Sequence, residues 1–237
     1  MKIRFATALA ALSLAGLGLV ADPAQAATPG VSNEAEFLAA VENANADPSV
    51  TEIVFAPNAV IELTDEVRYT GLQDLTLVGR GAMISGATVT ADTDTWDSGL
   101  FVSESGGDLT VRRLTFANSF NNGLSVFLPP GSGTVEIVLD DVTVTKAQFH
   151  GVLIDGQATT GYNTDDFVHP NCVDPHPFDS GTSIDITVDR SEITGAGQLV
   201  GYDISQDTGC PQDFDGLRVD QGGAGDLVAD LDRSTFD

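Results

Sequence analysis

Residues 109–126 read LTVRRLTFANSFNNGLSV and residues 137–154 read IVLDDVTVTKAQFHGVLI. Laid over one another at a shift of 28 residues, Leu109, Val111, Leu114, Phe116, Gly123, Leu124 and Val126 fall on Ile137, Leu139, Val142, Val144, Gly151, Val152 and Ile154. A third copy runs through Ile184, Ile186, Val188 and Ile193 to Gly216, Leu217 and Val219, and a fourth through Leu227, Ala229, Leu231 and Phe236. Asp189-Arg190-Ser191 returns as Asp232-Arg233-Ser234. Alternation of apolar residues inside each unit predicts strands, and self-similarity at this period predicts stacked turns of a solenoid.

Working outward, strands are expected at 52–55, 59–63, 67–70, 75–78, 82–84 and 99–102, early and less regular turns of the same coil. Ahead of them Asn33 can cap a helix, with Glu36 completing a capping box and Phe37, Leu38, Val41 and Ala44 on one face. That apolar face can close the open end of a solenoid, which otherwise exposes its core and unpaired backbone. At the other end the fourth copy stops after Phe236, before its Gly-φ-x-φ strand (φ an apolar residue), so a truncated end is expected, a partner chain over it being the alternative.

Lys2 and Arg4 precede an apolar run from Phe5 to Val20, and Ala24-Gln25-Ala26 has the small residues of a signal-peptidase site. Residues 1–26 therefore read as a cleaved secretory signal, 27–50 as an N-terminal segment with the capping helix, and 51–237 as the repeat domain. The run is interrupted by Ser13, Gly16 and Gly18, against a membrane span, and no later segment could cross a bilayer. Without the signal the chain holds 8 basic and 34 acidic residues. A field of that sign repels nucleic acid, acidic membrane surfaces and bare polyanionic sugars. Export to the outside, the cell surface or the periplasm is expected. Cys172 and Cys210, one in each of two Asp-, Gly- and Pro-rich insertions at 156–182 and 197–215, form an even pair that favours a disulfide in an oxidising compartment. Free thiols are the alternative.

The capping helix, the early Ile-x-Phe and Ile-x-Leu strands, Leu75-Thr76-Leu77-Val78-Gly79 and the 28-residue units together resemble the right-handed parallel β-helix proteins of the pectate-lyase-like group. The resemblance spans residues 30–237. It implies an all-β fold, a right-handed parallel β-helix with an N-terminal capping α-helix, and it leaves function open, because the group includes lyases, glycoside hydrolases and adhesins. Its polygalacturonate-cutting members place acids before the glycine of the Gly-φ-x-φ strand, then a Gly-His-Gly and an Arg-x-Lys segment. This chain offers Asn121-Asn122-Gly123, Phe149-His150-Gly151 and Asp213-Phe214-Asp215-Gly216 with Arg218. The histidine precedes the acids here, Phe149 replaces a glycine, and no lysine follows Arg218.

Stacking the turns puts Asn122, His150 and Asp215 in one column at the strand entrance and Asp155 and Asp220 in a second column at the exit. Ser125, Leu153 and Arg218 are expected to face outward between them. Asn122, Asp155 and Asp220 are the candidate substrate-binding residues. Asp213 and Asp215 can act as acid and base in glycoside cleavage. Alternatively, those carboxylates hold calcium against an acidic sugar while His150 or Arg218 removes a proton. The bland readings are a packed surface imidazole, turn chemistry before Gly216 and a weak Arg218 ion pair. The sequence thus points to engagement of extracellular polysaccharide, by a lyase or hydrolase or by a non-catalytic surface or adhesive module.

Overall fold

The computed structural model describes residues 30–86, 99–129, 131–156, 181–196, 215–220 and 225–237. The chain runs through α1 (Glu34–Ala46), β1 (Glu52–Val54), β2 (Val60–Leu63), β3 (Val67–Tyr69), β4 (Leu75–Gly86) and β5 (Gly99–Ser103). It continues through β6 (Leu109–Ser119), β7 (Asn122–Phe127), β8 (Thr134–Asp140), β9 (Thr143–Ala147) and β10 (Val152–Asp155). The last elements are β11 (Ser183–Asp189), β12 (Glu192–Thr194), β13 (Leu217–Asp220), β14 (Leu227–Asp232) and β15 (Thr235–Phe236).

Among the described residues every strand pairing is parallel, in two sheets. The smaller is ordered β13-β10-β7-β5-β3; the larger contains the remaining strands. The repeat read from sequence is the observed register: Leu109 pairs with Ile137, Phe116 with Val144, and Leu124 with Val152. Ile137 then pairs with Ile186, Val152 with Leu217, and Ile184 with Leu227. Apolar residues of successive repeats thereby stack into one core running from Phe37 to Ile193. Stacking of like on like is what parallel pairing of a repeat enforces, since a slip by one residue would turn every apolar side chain outward.

The helix starts as its sequence predicts. Asn33 Oδ1 accepts the Glu36 N–H at 3.1 Å. The Glu36 carboxylate reaches back to the Ser32 N–H and hydroxyl, both at 2.8 Å, one residue before the box position, and these bonds hold its pKa below the ordinary value. Phe37, Val41 and Ala44 are buried, whereas Leu38 is 37% exposed and lies off the buried face. The Phe37 ring meets Phe55 at 5.2 Å and Phe101 at 6.1 Å, so α1 packs against the early strands. Asn45 fixes its far end by accepting the Thr70 and Gly71 N–H groups.

Two strands expected at 75–78 and 82–84 are one, β4, with a register irregularity between Val78 and Ala82. The reason is a pair of left-handed residues, Arg80 (φ 55°) and Gly81 (φ 80°), that turn the chain without ending the pairing. Arg113, Asp141, Arg190 and Arg233 take a left-handed conformation (φ 48–57°) at the equivalent place in later repeats.

In β14, Leu227 and Leu231 continue the columns of buried Ile184 and Val188 but are half exposed. Among the described residues β14 pairs on one side only, with β11. No described helix is long and apolar enough to cross a membrane.

Candidate functional site

The column Asn122, His150 and Asp215 assembles as the spacing predicts, and its chemistry is that of a backbone ladder. Asn122 Oδ1 accepts the His150 N–H at 2.9 Å, and His150 Nδ1 accepts the Asp215 N–H at 3.3 Å. Each side chain thus satisfies the amide of the turn stacked upon it, which a buried corner needs because a lone N–H there is costly. Asn122 Nδ2 donates to the Ser125 hydroxyl at 3.0 Å, and the Ser119 hydroxyl donates to Asn122 O at 2.5 Å. Sequence reading passed over Ser119 and placed Ser125 only as an outward residue of its strand.

Next to this column run Gly123, Gly151 and Gly216. A Cβ on Gly123 would overlap Val144 Cγ1 and lie 2.7 Å from Gly151 O. On Gly151 it would overlap Ile193 Cγ2 and lie 2.6 Å from Gly216 O. Glycine is required because the smaller sheet approaches β9 and β12 too closely for any side chain.

Burial separates the three ladder residues. Asn122 is 3% exposed; the His150 side chain is 5% exposed and that of Asp215 48%. His150 Nδ1 lies 3.8 Å from Asp215 Oδ2. A nitrogen that accepts a hydrogen bond carries its lone pair, so the neutral ring holds its proton on Nε2. Protonating Nδ1 would exchange the bond from Asp215 N–H for an ion pair with the Asp215 carboxylate.

The strip between the two polar columns departs from expectation. Ser125 and Leu153 do not stand on an open surface: both are buried, and Leu153 packs with Val102 and Phe127 in a second apolar cluster. The smaller sheet is closed on both faces over β5, β7 and β10, as the continuous apolar strands of a parallel sheet require. Arg218, opposite Leu153 in register, is partly buried. Asp155 and Asp220 are register partners, as predicted, and Asp155 is 2% exposed beside Phe127.

Asp213, Cys172 and Cys210 lie outside the described residues, and with them the acid pair, the calcium ligand set and the disulfide. Among the described residues no three His, Cys, Asp or Glu side chains converge to hold a metal ion. Gln148, one position beyond the Ser119–Ala147 pair, is buried, and among the described residues its Oε1 lacks a hydrogen-bond partner.

A second ladder follows the left-handed corner. The Ser191 hydroxyl accepts the Val142 N–H at 3.1 Å, and the Ser234 hydroxyl accepts the Ser191 N–H at 3.0 Å. Outside it, Arg190 bridges Asp140 and Asp189, and Arg233 bridges Asp189 and Asp232. The repeated Asp-Arg-Ser tripeptide is therefore a stacking device. Searches against protein-family models, curated proteins and solved structures find no match to this chain.

Proposed function

We propose that the chain is a secreted right-handed parallel β-helix, of the kind the pectate-lyase-like group resembles, that holds extracellular polysaccharide at the entrance of the smaller sheet without cutting it. The observation that carries this reading is the end of the polar column: Asp215 presents a half-exposed carboxylate on a sheet otherwise closed over β5, β7 and β10. Arg218 lies three residues on, and a carboxylate with a guanidinium can together accept from and donate to sugar hydroxyls. The strongly acidic composition favours uncharged glycans over bare polyanions. The export signal read at residues 1–26 supports an extracellular ligand.

Catalysis is the second reading, favoured by the 3.8 Å contact of His150 with Asp215. Against it, a general base must reach the proton it removes. His150 is buried, and its Nδ1 is engaged by a backbone amide.

A panel of neutral glycans titrated calorimetrically against the full chain tests both. Asp215→Asn with Arg218→Ala should weaken binding roughly 10-fold or more, as lost hydrogen bonds to charged groups do. Absence of binding to every glycan sinks the proposal. Release of new reducing ends or unsaturated products, silenced by His150→Ala, replaces it with the catalytic reading.

A further inference from the structure

Packing fixes glycine after each residue of the polar column, and the side chains of Asn122 and His150 accept the next amide. The column thereby holds Asn122-Gly123 and Asp215-Gly216, dipeptides most prone to intramolecular imide formation, because a following glycine leaves the attacking nitrogen unhindered. Asn122-Gly123 is the sole Asn-Gly step in the chain.

We propose that this column is a site of spontaneous backbone modification in which the fold inverts the order of reactivity, Asp215 isomerising in the folded chain while Asn122 is protected. At Asn122 the Gly123 nitrogen would attack Cγ, closing an N–Cγ bond as ammonia leaves with the amide proton. Water then opens the imide at either carbonyl to aspartate or isoaspartate. At Asp215 the same ring closes on the protonated carboxyl with loss of water, and water reopens it, so mass is unchanged. In flexible peptides the Asn-Gly reaction is much the faster.

The structure restrains the first site at both reacting groups. Asn122 Oδ1 and Nδ2 are tied to His150 N–H and the Ser125 hydroxyl. The Gly123 N–H is shared between His150 O at 3.2 Å and Gly151 O at 3.0 Å. Strands β5 and β10 flank it on both sides, so ring closure needs local opening of that turn. Asp215 is different. Its carboxylate is half exposed, and among the described residues the Gly216 N–H has no hydrogen-bond partner and β13 is paired on one side only. Asp155-Gly156 carries the same dipeptide at the strand exit with its aspartate buried, and serves as an internal reference. Isoaspartate at 215 adds a backbone carbon just before β13 and shifts its alternation against β10.

The test ages the full chain at neutral pH and 37 °C, folded and in denaturant, and maps each site by peptide mass and isoaspartate content. In the folded chain isoaspartate at 215 is expected first, with deamidation at 122 slowed roughly 100-fold or more relative to the unfolded chain, since only opened molecules react. In denaturant Asn122 should react first. Ser125→Ala, which releases Asn122 Nδ2, should speed reaction at 122 several-fold and leave 215 unchanged. Reaction at 122 ahead of 215 in the folded chain, or equal slowing of both sites, overturns the proposal. If the variant does not fold, the folded-against-unfolded comparison of the unsubstituted chain decides alone.

Discussion

At the corner formed by Arg113, Asp141, Arg190 and Arg233 the side chains stand in water, the backbone is left-handed, and Arg190 and Arg233 pair with the aspartates beside them. At the entrance formed by Asn122, His150 and Asp215 the first two residues are buried, and the side chains bond backbone amides directly. Both places interrupt the sheet ladder and must satisfy amides at each turn. The corner does so with serine hydroxyls and surrounds them with exposed ion pairs. The entrance does so with the side chains themselves, leaving no slack. Exposed ion pairs contribute little net stability, whereas a buried donor left without a partner costs its full desolvation. The entrance should therefore tolerate substitution far less than the corner.

The severest test of that difference is Gly151→Ala. A Cβ overlapping Ile193 and crowding Gly216 O should destabilise by about 3 kcal/mol, or prevent folding, read as a loss of the cooperative urea transition. Asn122→Ala should follow at about 2 kcal/mol, because it strands the buried His150 N–H, and its cost should show as a lower urea midpoint with unchanged slope. At the corner, Ser191→Ala removes the acceptor for Val142 N–H and should cost about 1 kcal/mol in the same assay. Smallest is Arg190→Gly. It gives up ion pairs to Asp140 and Asp189 but relieves a left-handed residue, so stability should stay within about 1 kcal/mol of the parent. A cost at Arg190 exceeding that at Asn122 would reverse the ranking of the two regions.

Much of this was legible beforehand. The shift of 28 residues gave the pairing of β6 with β8 and β9 and of β7 with β10, because parallel register stacks like on like. The polar column was legible for the same reason. The exposure of Ser125 and Leu153 was misread because alternation tells one face of a strand from the other, not whether the far face meets water. The join at Arg80 and Gly81 was also missed, since glycines at 79 and 81 mark a turn equally well whether the strand ends there or carries on past it.

By itself the sequence determined which residues stack, for a repeat in parallel register carries its neighbours in its own periodicity. Only the tertiary structure decided what the stacked groups do. Whether His150 is an open base or an acceptor for the next amide depends on burial and on an atom 65 residues away, which periodicity does not encode. The tight approach that forbids a Cβ at Gly123 and Gly151 is likewise a property of two sheets meeting, not of any one strand.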